Sequence, residues 1–122
     1  MSDARRRALR HGADAEVRVA KALDDGGWSI LARNWRGGRG ELDIVALKEG
    51  HLRFVEVKAR ATRVAGLEAL SAQKQRRLIS AGEAWLSRYG EPDVDVTFLV
   101  AIVTGSESAG TIHWLEDPFD GS

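Results

Sequence analysis

The stretch Gly40-Glu41-Leu42-Asp43-Ile44-Val45-Ala46-Leu47, then Lys48-Glu49-Gly50-His51, then Leu52-Arg53-Phe54-Val55-Glu56-Val57-Lys58-Ala59 reads as two strands around a tight turn. With Glu49-Gly50 as a two-residue tip, facing residues sum to 99. Leu47 then meets Leu52, Val45 meets Phe54, Asp43 meets Glu56 and Glu41 meets Lys58. Strand side chains alternate with period two, so all eight share one face, apolar near the turn and charged farther along. Opposed Cβ atoms lie about 4.5–5.5 Å apart, so two ionised carboxylates there repel. A divalent cation with a preference for hard oxygen ligands, Mg²⁺ or Mn²⁺, relieves that repulsion. It could also polarise a phosphate and activate water, with Lys58 beside it. The competing explanation is a salt-bridged patch, Lys58 on Glu41 and the acids solvated. Spacing alone leaves both open.

Outward from this hairpin, apolar spacing at Ala13, Val17, Ala20 and Leu23 predicts a helix that begins near Asp3 and stops at Asp25-Gly26-Gly27. Residues 28–34 have short-strand composition, and Arg36-Gly37-Gly38-Arg39-Gly40 reads as a loop. A second helix is expected over 71–89, with Leu78, Ala81, Trp85 and Leu86 on one face. Strands follow at 94–103 and 111–115, around a turn at 105–110. Residues 61–70 lack a period and read as a mobile connection. Leu42, Ile44 and Ala46 on one side and Val45 and Leu47 on the other mark an interior strand covered on both faces. The strand-helix-strand unit from Leu52 to Val103 suggests a parallel crossover. The expected fold is α/β: a mixed sheet between helices, in the order α-β-β-β-α-β-β.

The 122 residues suit one domain, 1–122, with a basic arm at 1–10. Hydrophobic residues are 43% and charged residues 30%, which excludes a wholly disordered chain. Without cysteine there is no disulfide framework, thiolate zinc site or cysteine nucleophile. No apolar run approaches the ~18 residues of a membrane span, and no apolar region follows the N-terminal arginines as in a secretory signal. The expected compartment is the cytoplasm, with no membrane partner. The net charge of zero hides an asymmetry. Residues 1–90 carry eighteen Lys/Arg against eleven Asp/Glu, while 91–122 carry none against seven. Fourteen of the eighteen cations are arginine, the better bidentate phosphate ligand. A solvated surface would also account for this composition.

Three ordered blocks resemble the YraN family of small bacterial proteins: Ile30-Leu31-Ala32-Arg33-Asn34-Trp35-Arg36, Gly40-Glu41-Leu42-Asp43-Ile44-Val45-Ala46 and Phe54-Val55-Glu56-Val57-Lys58-Ala59-Arg60. Residues 16–23, 74–78 and 112–119 are similar to the family's two helices and its ending. The resemblance implies a restriction-endonuclease-like fold with a PD-(D/E)xK motif, distantly similar to archaeal Holliday-junction resolvases. It implies that Asp43, Glu56 and Lys58 are the motif residues and that Glu41 belongs to a Gly-Glu-x-Asp element. Mg²⁺ or Mn²⁺ would then be held by Asp43, Glu56 and the Val57 carbonyl, with Glu41 or Glu16 farther out or at a second ion. Lys74 matches a lysine of the second helix and is thereby a further candidate for nucleic-acid contact. Two departures stand out: Ala15 replaces the family's usual glycine, and Leu42 stands where the wider motif has proline.

Other constellations carry less. His11, His51 and His113 have no ligand spacing. The glycine-rich loop lacks the Lys-Ser/Thr of a phosphate-binding P-loop. Arg36 and Arg39 open directly into the Glu41 strand, and Arg60 and Arg63 follow Lys58, so these four are candidate phosphate contacts. Trp35 is a candidate for stacking on a base, while Trp28, Trp85 and Trp114 read as packing residues. Two functions remain: a metal-dependent endonuclease acting on DNA, branched or otherwise structured, and a non-catalytic nucleic-acid-binding or recombination-accessory module. Nucleic acid is the expected partner in both, and a homodimer stays open.

Overall fold

The computed structural model describes residues 2–105 and 110–116, side chains 7–11 excepted. The elements are α1 (Asp3–Asp25), β1 (Ser29–Gly37), β2 (Gly40–Lys48), β3 (His51–Ala59), α2 (Arg63–Glu68), α3 (Ala72–Tyr89), β4 (Asp95–Thr104) and β5 (Thr111–Glu116). The five strands form one open sheet in chain order, β1-β2-β3-β4-β5. All neighbours are antiparallel except β3 and β4, which run parallel as a crossover through α2 and α3 requires. This is the mixed α/β architecture expected from the sequence. No helix among the described residues is long and apolar enough to cross a membrane.

Each face of the sheet has its own core. Ala15, Val19 and Leu23 of α1 pack on Ile44, Ala46, Val55, Val57, Leu99, Ala101 and Val103. Leu78, Ala81 and Trp85 of α3 pack on Leu42, Val45, Leu52 and Phe54 of the opposite face. The α3 stripe is the one the sequence predicts. For α1 the expected Leu23 is buried and Ala20 packs against the core, but Ala15 and Val19 take the buried places expected for Ala13 and Val17, and Val17 is 55% exposed. Ala13-Val17 and Ala15-Val19 are equally apolar, and it is Ala15-Val19, in line with Leu23, that meets the sheet.

The turns follow local chemistry. Glu49 (φ 50°) and Gly50 (φ 79°) are both left-handed, as a two-residue type I′ hairpin needs. The β2–β3 register therefore sums to 99, from Lys48↔His51 to Ile44↔Val55. Residues 36–40, expected as a loop, form a second tight hairpin instead. Gly37 pairs with Gly40, leaving only Gly38 (φ 57°) and Arg39 at the tip. The expected connection at 61–70 contains the short helix α2, capped by the Thr62 hydroxyl accepting from the Ala65 amide. Residues 106–109 of the expected turn, the Phe119 end of the last resembling block and the acidic residues beyond Glu116 lie outside the described residues.

Candidate functional site

The site begins where the β2–β3 ladder stops. The last paired residues are Ile44 and Val55. Continuing the register would give the Val57 amide to Leu42; instead Val57 N–H donates to Asp43 Oδ2 at 2.8 Å. β2 stays with β1, where Trp35 pairs with Leu42 and Arg36 with Glu41. β3 stays with β4, where Glu56 pairs with Val100 and Lys58 with Ile102. The sheet thus divides at Asp43, and the acids sit in the division.

Past this point the expected partnership of Lys58 with Glu41 does not form, because their strands have separated. Lys58 Nζ lies 2.9 Å from Glu56 Oε1, with side chains only 14% and 20% exposed. Glu41 turns to Arg36 at 3.6 Å, on the more open side. The simple salt-bridged patch envisaged from the sequence is therefore absent in that form.

Burial pushes the Asp43 carboxyl up to about 8; repulsion from Glu56 adds to this, and the Val57 hydrogen bond offsets part of it. Glu16 on α1 is also raised, again chiefly by burial. A hydrogen bond from Asn34 and the charge of Arg33, 3.9 Å away, oppose that rise, while Glu41 and Glu56 reinforce it. Glu16, Glu41, Asp43 and Glu56 therefore share one electrostatic neighbourhood. No three acidic or imidazole groups among the described residues converge closely enough to form a ready-made metal cage.

Above Asp43, Glu56 and Lys58 opens a cleft of about 720 Å³. Arg36, Arg39 and Glu41 of the β1–β2 hairpin form one wall; Lys74, Arg77 and Leu78 of α3 form the other. The hairpin is docked on the helix. Arg39 N–H donates to Ser80 Oγ at 3.1 Å, and a Cβ on Gly40 would collide with the Arg77 carbonyl. Four cations thus rim an acidic floor.

Of the expected phosphate contacts, Arg36, Arg39 and Lys74 reach this cleft, and Arg60 and Arg63 do not. Arg60 folds its guanidinium back onto the Ala59 carbonyl at 2.8 Å, and Arg63 begins α2. Arg77 is the residue that the sequence reading missed. The signal was present, since it stands one helical turn from Lys74 and beside core residue Leu78. Trp35 is not free to stack on a base: its ring meets Trp85 edge-on at 5.3 Å and Tyr89 at 6.4 Å. His51 pairs with Asp95 at 3.4 Å and His113 with Thr104 at 3.1 Å, both away from the cleft.

Comparison with known proteins matches residues 15–103 to the model of the uncharacterised protein family UPF0102, a span holding every site residue above. A UPF0102 protein of Nitratidesulfovibrio vulgaris (strain DP4) is 38% identical over 122 residues, covering 98% of this chain and 89% of its own. One from Synechococcus sp. (strain JA-3-3Ab) is 44% identical over 96 residues, 75% of this chain and 73% of its own. One from Chlorobium phaeobacteroides (strain BS1) is 38% identical over 105 residues, 84% and 83% of the two chains. With most of its length and all of its acidic cleft inside that match, the chain belongs to UPF0102, the YraN family.

Proposed function

We propose that this protein is a divalent-metal-dependent endonuclease that hydrolyses phosphodiester bonds in DNA. One observation carries the reading: Asp43 and Glu56 are held together in a half-buried break in the sheet, beneath a rim of Arg36, Arg39, Lys74 and Arg77. Carboxylates buried and crowded so that one is raised to about 8 are poor structural elements but suitable oxygen donors. The N–H and C=O of one strand residue leave by the same edge. Because Val57 N–H points at Asp43, its carbonyl faces the same break and adds a third oxygen. Asp43, Glu56 and the Val57 carbonyl would hold Mg²⁺ or Mn²⁺, with Glu41 and Glu16 farther out. The ion when bound supplies Lewis acidity toward the phosphate and lowers the pKa of water.

The chain's own residues account for the rest. Arg36, Arg39, Lys74 and Arg77 grip phosphates on either side of the scissile bond and read no sequence in doing so. Lys58, held at Glu56, reaches over the floor to orient the attacking water and offset charge developing on the phosphoryl oxygens. The cytoplasm, where DNA and Mg²⁺ meet, is the compartment this activity requires.

The lack of a ready-made three-ligand cage among the described residues favours a second reading, a non-catalytic nucleic-acid-binding or recombination-accessory module. Linear, flapped, gapped and four-way-junction DNAs incubated with Mg²⁺ or Mn²⁺ separate the two. Cleavage of any of them that disappears in Asp43→Asn supports the nuclease. Tight binding without cleavage hands the site to the accessory module. Light scattering of the same samples tests the homodimer.

A further inference from the structure

Asn34 lies outside the acidic cleft, yet three irregularities meet at it. Its backbone is left-handed, φ 52°, in the middle of a strand. Glycine adopts that conformation freely, asparagine tolerates it, and other side chains resist it. The β1–β2 register passes from Arg33↔Ile44 to Trp35↔Leu42, so Asn34 stands opposite Asp43, and that pair is missing from the ladder.

The faces also change there. Ala32 and Trp35 both pack against the α3 core, as do Leu42 and Val45. Residues three apart in a regular strand point to opposite sides. Both strands therefore turn over by half a step, β1 at Asn34 and β2 at Asp43. Ile44, next to Asp43, belongs to the α1 core. On β3, the same position along the sheet is where pairing with β2 ends and the Val57 amide passes to Asp43. The Asn34 amide also holds Glu16, whose helix lies on the other side of the sheet.

We propose that Asn34 is the positioning residue of the site: its left-handed backbone turns β1 and β2 together, which frees Asp43 from the ladder and delivers its carboxylate to Val57. Its importance for hydrolysis rests on the nuclease reading. The turn at Asn34 is independent of hydrolysis and has its own readout.

That readout is hydrogen exchange of the Val57 amide, measured by NMR on the metal-free full chain and referred to Val55, the last residue in the regular ladder. Asn34→Gly keeps the left-handed backbone and removes the side chain; Asn34→Ala opposes the backbone. Exchange at Val57 should accelerate about tenfold or more in Asn34→Ala, as it should in Asp43→Ala, and stay within about threefold of wild type in Asn34→Gly. Where wild type binds Mn²⁺, calorimetry should show the same order, with Asn34→Ala about tenfold weaker and Asn34→Gly close to wild type. Should Asn34→Ala not fold, Asn34→Ser makes the same comparison. Wild-type Val57 protection in a folded Ala or Ser variant, or equal loss in Asn34→Gly, overturns the proposal. If the exchange pattern holds and no DNA is cut, the nuclease reading fails and the positioning role stands.

Discussion

Val57 gives its amide to the Asp43 carboxylate at 2.8 Å, where an unbroken hairpin would have given it to Leu42. One side chain therefore ends the ladder, satisfies the N–H that the ending exposes and lines the floor of the cleft. Asp43→Asn can keep the hydrogen bond through its carbonyl oxygen and is neutral without having to hold a proton that the unfolded chain releases. At pH 7 and without metal, this variant should be more stable than wild type by about 1–2 kcal/mol, or several degrees in Tm. Cleavage and Mn²⁺ binding should be lost. Calorimetric melting and metal titration check both; a less stable Asp43→Asn would show that the carboxylate is there for stability.

The raised Asp43 makes a pH prediction with a definite sign. Its ordinary value is 3.8 and its folded value about 8, so between these the folded state holds a proton that the unfolded state has released. Stability of the metal-free protein should be full near pH 4, fall as pH rises toward 8, and flatten above. The slope from this group is at most about 1.4 kcal/mol per pH unit. Divalent-ion affinity should rise over the same window, since the ion competes with that proton. Melting curves from pH 4.5 to 9, with and without Mn²⁺, test this against Asp43→Asn, in which the Asp43 contribution to the slope is gone.

Lys58→Ala should reduce cleavage by ~10²-fold or more while leaving DNA affinity nearly unchanged. It should also destabilise the metal-free protein by about 1–3 kcal/mol, less than the ~3–5 of a fully buried pair, because Glu56 is left alone beside Asp43. Added Mg²⁺ should recover most of that stability but not the rate. Equal cleavage by the variant and wild type would remove Lys58 from the mechanism.

Binding should be governed by the cleft cations. Arg39→Ala and Arg77→Ala should each weaken DNA binding and lower the slope of log affinity against log salt by about one. Arg60→Ala and Arg63→Ala, whose side chains lie outside the cleft, should leave that slope alone. Fluorescence anisotropy across a salt series decides it. A loss at Arg60 or Arg63 matching that at Arg77 would place the nucleic acid elsewhere.

Gly40→Ala is a test of the docked hairpin. The added methyl would collide with the Arg77 carbonyl, so strand and helix must separate. A loss of about 1–3 kcal/mol is expected, with weaker DNA binding. An unchanged Tm would mean that the hairpin and α3 part without cost.

The acidic hairpin was legible because a two-residue left-handed turn fixes the pairing of everything near it. Val45 opposite Phe54 and Leu47 opposite Leu52 follow from Glu49-Gly50 alone. That arithmetic runs out at Asp43, since it assumes that strands stay together, and Glu41 consequently never reaches Lys58. The α3 face was legible from period and bulk, because Trp85 and Leu78 have no competing stripe. The α1 face was ambiguous: Ala13-Val17 and Ala15-Val19 are equally apolar, and only the sheet beneath chooses between them. Arg36 to Gly40 hid a hairpin inside what looked like a loop, for glycine-rich segments signal a turn without giving its length. Asn34 left no trace in periodicity, because a single left-handed residue changes the path of a strand and not its composition.

The fit of Gly38 and Gly40 against Ser80 and Arg77 bears on the energetics of recognition. A loop carrying Arg36 and Arg39 on a free tether would have to be immobilised when it closed on a ligand, at a cost of about 1–2 kcal/mol of backbone entropy per residue. Here that cost has already been met during folding, and only side-chain rotamers remain to be ordered. The arginines should accordingly contribute more to residence time than their exposure suggests, and association should proceed without a slow closing step.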